Sequence, residues 1–312
     1  MTVRLTVQRD AWERHVADVA GGIDGLVPVV KGNGYGFGRA TLHRVAARLA
    51  ARVCVGTVHE LDHVDPAVTP VVLTPTLHAP PTTGPVLTIG APAHVEALAG
   101  WGGRVVVKLR SSMNRYGIVP AELAALTAVI RAAGLTVEGA AIHLPLAGDD
   151  ASRLAEIAAW TEHLPSAWEL SVSHLGAAHF AALQRAHPER RLRLRTGTAL
   201  WHGDKSFLHL GADVLDVVRP DGPTAGYHAT PVRAGTAAIA LVGAGTANGV
   251  AALADGRSPF HFARQRLDLL EPPHMHTSMC LVADGAPRPR IGDTVDLQRP
   301  LIATDADEVH WE

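Results

Sequence analysis

Between residues 25 and 203 the chain alternates short β-branched runs with Ala/Leu/Arg stretches of helical period. VPVVK (27–31), RVCVGT (52–57), VVLTP (71–75), VLTIG (86–90), RVVVKL (104–109), TVEGAAIH (136–143), WELSVSH (168–174) and RLRLRTG (191–197) read as eight strands. Between them, ATLHRVAARLAAR sets Leu42, Val45 and Leu49 at helical spacing, and AELAALTAVIRAAG closes on a C-terminal glycine. Strand and helix repeating in this way predict a parallel sheet, and eight units in about 180 residues favour an α/β architecture of the (β/α)8, TIM-type barrel kind over an open sheet. HAPPTTGP at 78–85 is the weak link, because its prolines cannot hold a full helix.

After about residue 212 the rhythm changes. VLDVVRP, TPVRAGTAAIALVGAG, RLDLLEPP and TVDLQRPLIAT are strand-like runs with no helical pattern between them. The expected organisation is therefore a barrel over residues 8–210 and a second, smaller C-terminal β domain over 211–312. The N-terminal segment 1–7, with VRLTVQ, is expected to add a strand to that β domain.

Composition narrows the function classes. A length of 312 residues is ample for a large core. A net charge of −2 without blocks of like charge gives no reason to expect nucleic acid or an anionic membrane as partner. No apolar run approaches a bilayer span, and MTVRLTVQRD lacks the apolar region of a leader, so a cytoplasmic location is expected. Cys54 and Cys280 are too few for a disulfide framework. Histidines are scattered except for HMH at 274–276, whose spacing to Cys280 matches no standard zinc site, so no metal is expected.

Lysine changes the picture. Only Lys31, Lys108 and Lys205 occur, and every other cation is arginine. A retained lysine points to chemistry closed to guanidinium, since an amine can lose its proton and attack a carbonyl. Lys205 sits in the polar turn HGDKS, whereas Lys31 ends an apolar strand. In a (β/α)8 barrel the chemistry gathers at the C-terminal strand ends. Lys31, Lys108 with Arg115 beyond it, His143, His174 and Arg195 all fall there. The last strand runs into RTGTALWHG, where Gly197 and the following N–H groups suit an anion such as phosphate. A lysine facing a phosphate site suggests pyridoxal 5′-phosphate held as an imine.

VVKGNGYGFG resembles the cofactor-lysine motif VVKANAYGHG of the alanine racemase family, and the similarity continues in order. VVVKLRSSMNRYGI looks like H-L-K-x-D-T-G-M-x-R-x-G, EGAAIHLPLA like G-x-x-T-H-F-A, SHLGAA like H-x-x-N-S-A, and RTGTALWHG like R-P-G-I-A-L-Y-G. The resemblance implies a fold-type III pyridoxal-phosphate enzyme acting at the Cα of a small amino acid. Lys31 would form the internal aldimine and act as base on one face. Tyr35 and the Gly197–Thr198 backbone would hold the phosphate, and His143 would pack on the pyridine ring, with His174 also at the cofactor. Arg195 would face the pyridine nitrogen, and Arg115 would hold the phenolic side and orient the substrate carboxylate. Lys108 matches a lysine that some members carry as a carbamate. The family builds its site across a dimer interface, which implies a homodimer.

The resemblance weakens in the β domain. The family's G-Y-A-D-G, with its catalytic tyrosine, corresponds to Gly245-Thr246-Ala247-Asn248-Gly249, and S-M-D corresponds to Ser278-Met279-Cys280. Thr246 and Cys280 thus occupy catalytic positions and Met279 a substrate position. His276, Cys280 and Tyr227 are the candidates for a replacement acid or base. The Asn-Ser that helps bind phosphate is Ala177-Ala178, and D-T-G is Arg110-Ser111-Ser112. An amino-acid racemase-like enzyme is the leading expectation. One-base lyase, decarboxylase or aldolase chemistry, or a non-catalytic pyridoxal-phosphate protein, are the alternatives.

Overall fold

Each of the eight apolar runs forms a strand in the computed structural model, which describes residues 2–312. After β1 (Val3–Val7) come β2 (Leu26–Pro28), β3 (Arg52–Val55), β4 (Thr69–Val72), β5 (Val86–Ile89), β6 (Arg104–Leu109), β7 (Thr136–Ile142), β8 (Glu169–Ser173) and β9 (Leu192–Thr196). The strands from β2 onward are parallel, in the order β2-β9-β8-β7-β6-β5-β4-β3. A parallel bridge between Val29 and Cys54, with the Val30 N–H donating to the Cys54 carbonyl at 2.8 Å, closes the ring. Helices follow most strands, but between β4 and β5 the described residues form none, as the prolines of HAPPTTGP require.

Side chains alternate along each strand, so every second residue faces the barrel interior. Arg52 and Cys54 in β3, Arg104, Val106 and Lys108 in β6, Glu169, Ser171 and Ser173 in β8, and Arg193 and Arg195 in β9 follow that period. A register shift leaves Glu138 of β7 without a partner on β6. The charges this brings to the N-terminal end are paired: Arg52 with Glu138 at 2.9 Å and Glu169 at 3.2 Å, Arg104 with Glu138 at 2.8 Å, Arg193 with Glu169 at 3.1 Å. Small apolar residues fill the next level, with Val27, Val29 and Cys54 in one cluster and Val86, Val106 and Ala141 in another. The barrel unit comprises Arg14–Gly34 and Gly38–Trp201.

The other unit comprises the described residues up to Glu13, Tyr35–Phe37 and His202–Glu312. Its sheet is centred on β10 (Leu208–Val218), which pairs antiparallel with β1 and with Thr236–Val242 and Thr294–Leu297. The N-terminal strand thus joins the β unit, with Val3 opposite Ala212. Val214, Ala240, Val242, Phe260, Cys280 and Val295 belong to its core. Tyr35–Phe37 is tied to this unit by aromatic packing: Phe37 stacks on Trp311 at 6.0 Å, and Tyr35 meets His202 edge-on at 5.7 Å. Among the described residues no helix is long and apolar enough to cross a membrane.

Candidate active site

Lys31 leaves β2 at the C-terminal mouth of the barrel. Val27 and Val29 face inward, so Lys31 continues the interior face, and its side chain is exposed while Val30 beside it is fully buried. The turn that follows is set by the Gly34 N–H donating to the Lys31 carbonyl at 3.1 Å. Gly34 has φ 68°, and a Cβ there would lie 2.4 Å from the Arg39 nitrogen, so only glycine fits. Tyr35 comes next, in the left-handed region at φ 56°, buried, with its carbonyl accepting from His202 Nε2 at 2.7 Å.

The other mouth residues arrive from β6 to β9. Lys108 is buried, and burial, then Arg195 and Arg115, hold its amine down to about 6. Arg195 is also buried, and its guanidinium donates to the Ser171 carbonyl at 2.7 Å, to Ser171 Oγ at 2.8 Å and to the Ile142 carbonyl at 2.5 Å. His143 stacks obliquely on His174 with ring centroids 4.7 Å apart. Burial, reinforced by Arg195 and Lys108, holds His143 neutral with a pKa of about 2, and burial lowers His174 likewise. His143 Nδ1 meets Ser173 Oγ at 3.0 Å, and His174 Nδ1 donates to the Leu144 carbonyl at 2.7 Å. Arg115 lies over the Tyr116 ring at 4.7 Å on the loop between Leu109 and Ile118. Among the described residues no carboxylate pairs with Lys31, Lys108, Arg115 or Arg195, in contrast to the paired charges at the other end.

Two helix ends at the mouth differ in what they can still bind. The Gly176 N–H before helix Ala177–Ala186 already donates to Asp150 Oδ2 at 3.0 Å, so a protein carboxylate serves that end. The turn at Gly197 opens the short helix Thr198–Trp201, whose first N–H groups lack helical partners. Trp201 fixes it from behind by donating Nε1–H to the Val29 carbonyl at 2.7 Å.

In the β unit the expected residues separate. Thr246 is exposed and opens the turn Thr246–Asn248. Met279 is half-buried and His276 exposed. Tyr227 is 85% exposed. Cys280 is the correction: it points into the core with no exposed surface, and burial pushes its thiol well above the ordinary range. Strand Ser278–Ala283 buries Ser278, Cys280 and Val282 on one face, which removes Cys280 from the catalytic candidates. Sequence reasoning missed Ser171, Ser173 and Ser111, which orient Arg195 and His143; Ser111 Oγ donates to the His143 carbonyl at 2.6 Å. Their inward parity on the strands was the available signal for the first two.

A family model described as alanine racemase, N-terminal domain, matches residues 7–204. No curated protein sequence matches the chain. Among solved structures, alanine racemase from Bartonella henselae with covalently bound pyridoxal phosphate aligns over 100% of both chains at 16% identity and a TM-score of 0.75. Alanine racemase from Corynebacterium glutamicum aligns over 99% of both at 20% identity and 0.68. Alanine racemase from Bacillus anthracis with bound L-Ala-P aligns over 95% of this chain and 85% of its own at 17% identity and 0.73. At these identities the likeness is one of fold.

Proposed function

The chain belongs to the alanine racemase family through its N-terminal domain, and from that premise we propose that it binds pyridoxal 5′-phosphate at Lys31 and acts at the Cα of a small amino acid. The observation that carries the reading is the mouth of the barrel: the exposed Lys31 amine beside the guanidiniums of Arg115 and Arg195 and the buried Lys108 amine, none of which a carboxylate pairs with among the described residues. That donor set suits a ligand bearing both a carbonyl and a phosphate. Gly197 and Thr198 offer the phosphate their N–H groups. His143, neutral and flat, offers its face to an aromatic ring. Bound there, the cofactor supplies an electron sink for the pair left at Cα when its proton departs. Arg195 donates hydrogen bonds and accepts none, so beside a pyridine nitrogen it discourages ring protonation and limits that sink. Arg115 orients the substrate carboxylate, and Lys31 moves the proton on its own face.

A homodimer is part of the same proposal. The second reading, one-base chemistry at Cα, is favoured by one observation: position 246 carries a hydroxyl where the family's motif has a phenol. The test of the cofactor assignment is Lys31→Ala, which should abolish the visible absorbance of bound cofactor and its fixation by borohydride. Peptide mapping of the reduced wild type should find the adduct on Lys31. An adduct on Lys108 or Lys205 would overturn the assignment.

A further inference from the structure

The turn that carries Lys31 does not hold its own shape. Lys31-Gly32-Asn33-Gly34 has two glycines in four residues, Gly32 at φ 60° and Gly34 at φ 68°, and glycine gives the main chain little steric guidance. The lysine stem is long and flexible, so small rotations of this backbone carry the amine over a wide arc. Where the Lys31 amine stands is therefore decided by whatever holds the peptide groups on either side of Gly32.

Both groups are held by side chains from elsewhere in the barrel unit. Among the described residues the bond from the Val30 N–H to the Cys54 carbonyl is the last main-chain bond across the seam between β2 and β3. Two residues further along each strand, the Gly32 N–H and the Gly56 N–H both donate to one oxygen of Glu60, Oε2, at 3.3 Å and 2.9 Å. That carboxylate oxygen stands in for the next rung of the ladder and ties the lysine turn to the end of β3. A Cβ at Gly56 would lie 2.9 Å from the same oxygen, so a side chain there would push the carboxylate aside. On the other side of Gly32 its carbonyl accepts from Arg39 Nη1 at 3.1 Å, and Arg39 Nη2 is paired in turn with Asp62 at 3.3 Å. Glu60 and Asp62 come from one segment after β3, and Arg39 opens the helix Arg39–Leu49.

We propose that Glu60 is a positioning residue for Lys31: it acts through the Gly32 main chain to set where the amine stands at the barrel mouth, and Arg39 closes the clamp from the other side. The proposal rests on the cofactor reading above, in which that amine holds the cofactor and moves a proton at Cα. Both tasks depend on reach, since proton transfer needs heavy atoms within about 3 Å and a misplacement of about 1 Å costs about 100-fold. A carboxylate suits this place because hydrogen bonds from main-chain N–H groups to it are charge-assisted and one oxygen can accept two of them. No bond is made or broken at Glu60.

The test compares cofactor-loaded wild type with Glu60→Ala and Glu60→Gln, reading Cα hydrogen exchange of small amino acids in deuterated water per mole of adduct that borohydride fixes on Lys31. Glu60→Ala should still form the adduct and lose about 100-fold in exchange per loaded molecule. Glu60→Gln keeps an oxygen in place of Oε2 and should recover exchange to within about tenfold of wild type. A residue that only supported the fold would lower the urea midpoint and the loaded fraction without lowering exchange per loaded molecule. That result overturns the proposal, as does a glutamine variant no better than the alanine one. Independently of turnover, amide hydrogen exchange of the cofactor-free protein should show Gly32 and Gly56 protected in wild type and in Glu60→Gln, and about tenfold faster or more in Glu60→Ala. Unprotected amides at both glycines in wild type overturn the clamp even where the alanine variant fails to fold. Each of these failures leaves the Lys31 assignment standing. Wild type that fixes no adduct on Lys31, or that is loaded and exchanges no amino acid, overturns the reading above and this role with it.

Discussion

The guanidinium of Arg195 on β9 reaches the main-chain carbonyl of Ile142 on β7, two strands along the barrel wall, at 2.5 Å. Its other terminal nitrogen holds Ser171 on the strand between. Acceptors from two strands fix the plane of this cation before any ligand arrives, which a lysine ammonium cannot reproduce.

Arg195→Lys should therefore leave a buried carbonyl unsatisfied, at a cost of about 1–3 kcal/mol. A lowered urea midpoint together with weaker cofactor retention on gel filtration is the expected result. An unchanged midpoint would mean that the three hydrogen bonds contribute nothing net.

Stability should rise with pH between about 6 and 9. Lys108 binds its proton only below about 6 in the folded chain, held down by burial and then by Arg195 and Arg115, against about 10.4 when unfolded. In that window the unfolded chain holds the extra proton, so raising pH favours the folded state. Above about 9 burial of the Cys54 thiol, raised to about 11, works in the opposite direction. Urea midpoints of the cofactor-free protein should climb across the window, and Lys108→Met should flatten the climb.

A largely unprotonated amine at pH 8 is also a nucleophile for carbon dioxide. Lys108 should form a carbamate, whose negative charge the neighbouring Arg115 and Arg195 favour. Incubation with ¹³C-bicarbonate should give a carbamate carbon signal in wild type that Lys108→Met lacks. Its presence in both would assign the signal to another amine.

Thr246→Ala should leave Cα exchange within about threefold of wild type, because the hydroxyl is not acidic enough to take part. The turn survives, since its bonds to His274 and Met275 are made by the main chain. A loss of exchange near 100-fold would restore Thr246 to the chemistry.

Cys280→Ser should lower the melting temperature through about 1–3 kcal/mol for a hydroxyl in an apolar core, and leave exchange per folded molecule unchanged. Loss of exchange with an unaltered melting temperature would contradict the burial of this side chain.

The eight strands were legible because β-branched runs sit between clear punctuation, and the barrel followed from their number. Arg195 was legible as the last inward residue of RLRLR. Cys280 was misplaced because motif alignment outweighed the alternation of SMCLVA, which already put Ser278, Cys280 and Val282 on one face. The hydrogen bond between buried Glu271 and His274 lay in EPPHMH, but there the cluster was weighed as a metal site and His276, not His274, as a replacement acid or base. The interlocked charges of Arg52, Arg104, Glu138, Glu169 and Arg193 were not legible at all: each is an ordinary polar residue near a strand start until the ring closes. The allotment of Tyr35–Phe37 to the β unit was hidden for the same reason, because it depends on His202 beside Tyr35 and Trp311 beside Phe37, both far along the chain.

The sorting of charge along the barrel axis gives the barrel a polarity. Arginine and carboxylate neutralise each other at the floor, and uncompensated positive charge stands at the entrance, so the electrostatic potential grows toward the open end. Small anions are drawn in from a distance and cations are turned away before any shape is sampled. For the amino acid proposed as substrate this field acts as a compass: carboxylate-first approach, with the ammonium group trailing toward solvent, is the expected orientation.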